Sequence, residues 1–289
     1  MVRIKLIVTG DMEKLALHES LRRVFPRERD GEEVIWERPR KIHCTTSHPL
    51  REDRGPSQPM VELARAMLAE VGIGRTGLPA DLVVAIDDVE LGNLEREMVI
   101  AQHLRAAFES LLAKHSGNAE SRYRKLLQER CAFHLLKPMV ESYLFGDSAA
   151  LLNSGVPVGT SPLLAHPSDV ERFECADPAW LPTCRAENER HQTGKSWWRH
   201  ERHPKHYLEH LVQRGQSLYD ETRQGRDALA GLDWQQVPKQ AEDTPLARSL
   251  FEDLADWFQV PNPLSLGSPH PDFYPTRSAR RATLLLRNL

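Results

Sequence analysis

Leu82-Val83-Val84-Ala85-Ile86-Asp87-Asp88-Val89-Glu90 is a short apolar run without alternation that ends in three carboxylates. Such a run reads as a strand buried on both faces, the pattern of a parallel sheet covered by helices. Its carboxylates then stand at the carboxyl edge of the sheet, where open α/β folds bind their ligands. Carboxylates held close together repel one another unless a cation lies between them. Mg²⁺ or Mn²⁺ suits that position, being hard ions that take carboxylate, water and phosphate oxygens. This gives Asp87, Asp88 and Glu90 as candidate metal ligands. A solvated acidic loop capping the next helix is the alternative, since Glu95 and Glu97 continue the negative charge.

Working outward, Ile4 to Val8 predicts a first strand, broken at Thr9-Gly10-Asp11 and followed by a helix over Met12 to Val24. Further short strands are expected at Val34 to Trp36 and Ile42 to Cys44, then a proline-rich loop from His48 to Pro59. Val61, Leu63, Ala64, Met67, Leu68 and Val71 share one face of a helix over Met60 to Val71. A long helix is expected from Leu94 to Lys114, ended by His115-Ser116-Gly117-Asn118. Cys131 to Leu135 reads as another strand, after which Pro138 opens a helix carrying Glu141, with Asp147 close behind. Glu141 sits among Met139, Val140, Tyr143, Leu144 and Phe145, and a carboxylate in so apolar a setting is expensive to bury unless paired or metal-bound. It either joins a site with Asp147 or points out of an amphipathic helix.

The chain has 289 residues, enough for a sizeable core, and a formal charge of −3 from 38 basic and 41 acidic residues. That balance gives no global attraction to nucleic acid, so a phosphate partner must meet a local basic patch. Lys195 to His206 is one, interleaving lysine, arginine and histidine with Trp197 and Trp198, a composition suited to phosphate pairing and base stacking. Arg202, His203 and Lys205 are its candidate nucleic-acid contacts. A zinc site from His200, His203, His206, His210, Cys175, Cys184 and His191 is disfavoured, because no paired ligand spacing is present and Pro204 interrupts the helical face. The four cysteines are far apart, fitting a reducing compartment, and no stretch reaches membrane-spanning length. A cytoplasmic protein is expected, with no membrane partner and homo-oligomerisation left open. The carboxyl-terminal half predicts helices from Tyr207 to about Tyr219 and from Thr244 to Phe258, the second starting with a cap residue and a proline. A basic tail follows, with a short helix or strand over Ala282 to Leu286. The organisation expected is an α/β domain over 1–150, a helical region over 151–260 and a tail over 261–289.

Four stretches resemble a bacterial Toprim-like family of unknown function, often encoded beside an ABC- or OLD-type ATPase in phage-defence or DNA-processing operons. They are Ile7 to Glu13, Ala85 to Glu90, Pro138 to Asp147, and the run from His203-Pro204-Lys205 through Tyr219 to Glu221 and on to Leu232-Asp233-Trp234. The resemblance implies a Toprim-like, mostly parallel sheet flanked by helices, with a mainly helical carboxyl-terminal region. It further implies a Mg²⁺- or Mn²⁺-dependent nuclease or related phosphotransfer enzyme, with DNA ahead of RNA as partner and an ATPase subunit as a second. Asp87, Asp88, Glu90, Glu141 and Asp147 would hold metal, Glu13, Asp88 and Glu141 would serve catalysis, and Lys205 would contact phosphate. The family's first-motif glutamate is Thr9 here, whose hydroxyl can orient water but cannot take a proton near neutral pH. That departure supports the other reading, a catalytically silent adaptor or sensor subunit of an ATPase-containing complex.

Overall fold

The computed structural model describes residues 1–72, 78–190, 201–264, 267–273 and 284–289. Six strands form one mixed sheet: β1 (Val2–Val8), β2 (Glu28–Arg29), β3 (Glu32–Trp36), β4 (Arg40–Lys41), β5 (Leu82–Asp88) and β6 (Cys131–Leu136). Their order is β2-β3-β1-β5-β6, with β4 alongside β1 beyond the end of β3. All pairs are parallel except the β2–β3 hairpin. Ile4 to Ile7 lie opposite Leu82 to Ala85, and Val83 to Asp88 lie opposite Cys131 to Leu136, so the carboxyl ends of β1, β5 and β6 are neighbours.

The helices are α1 (Asp11–Arg22), α2 (Gln58–Glu70), α3 (Glu97–Leu112), α4 (Asn118–Arg130), α5 (Glu141–Leu144), α6 (Ser148–Asn153), α7 (Leu181–Arg190), α8 (Pro204–Gln213), α9 (Arg226–Gly231) and α10 (Pro245–Phe258). Successive strand residues point to opposite faces, and both faces are apolar here. Ile4, Leu6, Val8, Leu82, Val84 and Ile86 pack beneath α1, α9 and α10, where Phe25 stacks on Phe251 and Phe258. Ile7, Val83, Ala85, Phe133 and Leu135 pack beneath α2 and α3. Burial of each such aliphatic side chain is worth roughly 1.5–3 kcal/mol, so the two-sided sheet is the principal store of stability. The chain is therefore α/β, a mostly parallel sheet flanked by helices with a helical carboxyl-terminal part. Among the described residues no helix is long and apolar enough to cross a membrane.

Several elements differ from the sequence expectation. The strand expected at Ile42 to Cys44 lies earlier, at Arg40–Lys41; Ile42 still donates its N–H to Val8, after which the chain turns inward to bring Cys44 and Thr45 onto Asp87 and Thr46 onto the Asp88 carbonyl. The long helix expected from Leu94 begins only at Glu97, because Glu95 has φ +59°. The helix expected to reach Tyr219 stops at Gln213, followed by Gly215 and by Gln216 at φ +59°. Thr244 precedes α10 at φ +53° but makes no capping bond. Glu171 replaces it, its carboxylate accepting from the N–H groups of Leu246 (3.0 Å) and Ala247 (2.8 Å). Helix α4 had no counterpart in the reading, since Leu127 is its one buried residue.

The described end of the tail, 284–289, is neither helix nor strand and docks on the chain's own core. Arg287 donates its N–H to Cys131, while Asn288 accepts from the N–H of Phe133 (3.1 Å) and donates to its carbonyl (2.7 Å), closing the free edge of β6 with a side-chain amide. Lys195, Trp197, Trp198 and His200, with Arg277, Arg280 and Arg281, lie outside the described residues.

Candidate active site

The three neighbouring strand ends each deliver a carboxylate to one cavity of about 880 Å³. After β1, the Thr9-Gly10 turn enters α1, whose first turn carries Glu13. The Glu13 carboxylate folds back over Gly10, occupying the space that a β-carbon there would need. After β5 come Asp88 and then Glu90, the latter at φ +62°. After β6, a cis Lys137–Pro138 peptide leads to Glu141 at the start of α5. The two turns are tied together: Val89 and Glu90 donate their N–H groups to Leu136 and Pro138 (2.8 Å each), and Val140 donates to Asp88 Oδ1 (3.0 Å). Asp88 and Glu141, required to converge by any metal reading, thus line the same cavity.

Burial and mutual repulsion change the acidity of this group. Burial first, then the Glu141 charge, raises Glu13 to about 8. Burial and Glu141 likewise raise Glu90 to about 7. Glu141 rises to about 7 through burial, against the opposing pull of Lys205. Asp88 is held well above the usual carboxylate range by burial and by the Glu13, Glu90 and Glu141 charges. The opposite wall carries the counter-charge. Lys205 Nζ pairs with Glu221 at 2.6 Å, and although burial opposes it, Glu141 and Glu221 hold the ammonium above its ordinary value. His203 and His206 stack beside it, with ring centroids 3.7 Å apart and planes at 11°.

Asp87 and Asp147, expected among the metal ligands, are spent elsewhere. Asp87 points to the other side of β5, where Thr9 Oγ1 donates to Oδ1 (2.7 Å) and the Thr45 N–H (3.2 Å) and hydroxyl donate to Oδ2, while the Asp88 N–H also reaches Oδ1 (3.0 Å). These bonds pull against the desolvation that pushes its pKa up. Asp147 caps α6 through the Ala149 N–H (2.9 Å) and accepts from the Asp233 N–H (3.0 Å). Arg202 does not line the cavity; it pairs with Glu174 at 3.4 Å. Glu13, Asp88, Glu90, Glu141, His203 and Lys205 do line it, joined by Glu221 and His48, which the sequence reading had not assigned to the site. Glu221 lies within a stretch that carries the family resemblance but with no role attached to it, and His48 stands in the proline-rich loop with no local signal.

The donor set fits a hard cation, being oxygen throughout on the strand-end side. It is a chamber and not a finished cage: among the described residues no three His, Cys, Asp or Glu side chains stand grouped to hold an ion. Mg²⁺ is compatible with that, because it keeps several waters and takes only one or two protein carboxylates. No protein-family model, curated protein or solved structure matches this chain.

Proposed function

We propose that this protein is a Mg²⁺- or Mn²⁺-dependent phosphodiesterase of nucleic acid, DNA before RNA, built on a Toprim-like sheet. One observation carries the reading: carboxylates from three separate strand ends meet in a single half-enclosed cavity, at a repulsive cost that a divalent cation would remove. One or two of Asp88, Glu90 and Glu141 would hold the ion, which when bound would polarise a phosphodiester and activate water. Lys205, across the cavity, supplies fixed positive charge to a phosphate oxygen. Glu13 keeps its proton to about pH 8 in the metal-free chamber and is the acid/base candidate that replaces the absent carboxylate at position 9. The four cysteines are free thiols, consistent with a cytoplasmic setting. An ABC- or OLD-type ATPase partner and a role in phage defence rest on the sequence resemblance.

A second reading, a silent adaptor subunit, is favoured by one specific contact. The Thr9 hydroxyl is committed to Asp87, so the first strand end presents neither a base nor a ligand at that position. Calorimetric titration with Mn²⁺, comparing wild type with Asp88→Ala, separates the two. Binding that the substitution abolishes, followed by metal-dependent nicking of a plasmid, supports the enzyme. Absence of binding by the wild type sinks it.

A further inference from the structure

We infer that the cavity admits one unpaired nucleotide unit, so that substrate reaches the carboxylates as a single strand or flipped-out nucleotide and not as an intact duplex. This rests on the phosphodiester reading above and adds how the substrate is presented.

Size is the first ground. A cavity of about 880 Å³ falls within the range of pockets that enclose small molecules, roughly 300–1,000 Å³. One nucleotide with its phosphate fits such a volume. A double helix, whose major groove alone is about 12 Å wide, does not.

Depth is the second. Glu13 and Glu141 are only 3 % and 4 % exposed, so a bond that reacts beside them must descend below the protein surface. Duplex DNA is stiff over this scale, so a single strand, or a nucleotide extruded as enzymes that act on bases extrude theirs, follows the cavity floor more readily.

The third ground is the division of the walls. The strand-end side is acidic, while the first turn of α8 opposes it with Lys205 and the stacked His203–His206 pair. Exposed Pro49 adds apolar surface, which neither a metal nor a phosphate needs and a base face does. Phosphate toward Lys205 and base against Pro49 is the arrangement these walls accept.

Fluorescence anisotropy with the full chain, in Ca²⁺, tests this with a 12-nucleotide single strand, a duplex of the same sequence closed by loops at both ends, and a nucleoside monophosphate as competitor. The single strand should bind at least tenfold more tightly than the closed duplex. Pro49→Ala should weaken single-strand binding threefold or more and leave Mn²⁺ binding unchanged. Equal or tighter binding of the closed duplex, or no binding of the single strand by protein that does bind Mn²⁺, overturns the inference while the metal reading stands. Competition by the monophosphate as strong as by the strand overturns it in favour of a free nucleotide. If Mn²⁺ itself is not bound, the proposed function fails first.

Discussion

Glu13 lies over Gly10 so closely that its carboxylate fills the place of the missing glycine side chain. The obstruction to a methyl group there is the far end of a flexible side chain and not backbone, so Gly10→Ala should fold normally and simply expel the carboxylate from the cavity. We expect Gly10→Ala and Glu13→Gln to depress phosphodiester cleavage alike, by tenfold to a thousandfold, within or near the usual weight of a general acid or base. The melting temperature of Gly10→Ala should stay within a few degrees of wild type. An unaltered cleavage rate in both variants would remove Glu13 from the site.

Asp87 and Asp88 are adjacent yet should behave oppositely. Asp88→Asn should cut Mn²⁺ affinity at least tenfold with little loss of stability, since it also relieves repulsion within the cluster. Asp87→Asn leaves at least one of the Thr9 and Thr45 donors without its acceptor, a loss of about 1–3 kcal/mol. It should bind Mn²⁺ with affinity close to wild type. Calorimetry and thermal unfolding on both variants check the assignment, and the reverse pattern would make Asp87 the ligand.

Stability of the metal-free protein should decline as pH rises. Glu90 and Glu141 titrate near 4.5 when free and near 7 in the fold, and Glu13 near 8, so the folded state keeps protons that the unfolded chain has released. Their stabilising effect is complete below pH 4.5 and is lost on passing upward through pH 7 to 8. In EDTA the melting temperature should fall by roughly 5 °C or more between pH 5 and pH 8, at about 2–4 °C per kcal/mol. Mg²⁺ added at pH 8 should restore much of it. Insensitivity to both pH and Mg²⁺ would contradict the charge arrangement described.

The tail should behave as part of the sheet. Arg287 Nε donates to buried Asp253 at 3.0 Å, and its guanidinium also reaches Asp256 at 3.2 Å, so Arg287→Ala leaves the Asp253 carboxylate with His134 (3.3 Å) as its one remaining charged partner among the described residues, at a loss of up to about 3–5 kcal/mol. Asn288→Ala opens the β6 edge and should accelerate amide hydrogen exchange at Phe133. Protection at Phe133 equal to wild type would show that the edge is closed by other means.

The sheet was legible in sequence because β1, β5 and β6 are apolar runs ended by glycine, acidic or proline turns. So was the convergence of Asp88 with Glu141, since adjacent parallel strands place their exits together. Asp147 was misread because a cap and a ligand look alike in sequence: Asp147-Ser148-Ala149 fits an N-cap, and only its bonds to Ala149 and Asp233 decide between them. Asp87 was misread for a different reason. Alternation along β5 sends neighbouring carboxylates to opposite sides, and the threonines that receive one of them come from β1 and from the loop after β4. Helix α4 is not legible in sequence because its polar surface lacks the apolar stripe that marks a buried helix face.

The bond from Thr9 to Asp87 joins residues 78 apart, and that from Val140 to Asp88 joins residues 52 apart. The carboxylates are therefore strangers in the extended chain and meet only once three distant strands have zipped together. We expect their repulsion to act late on the folding route, once those long-range contacts are in place. Neutralising one of them, as in Glu141→Gln, should slow unfolding in stopped-flow experiments while leaving the refolding limb almost unmoved. A protein arranged in this way trades kinetic persistence for a chamber of buried carboxylates.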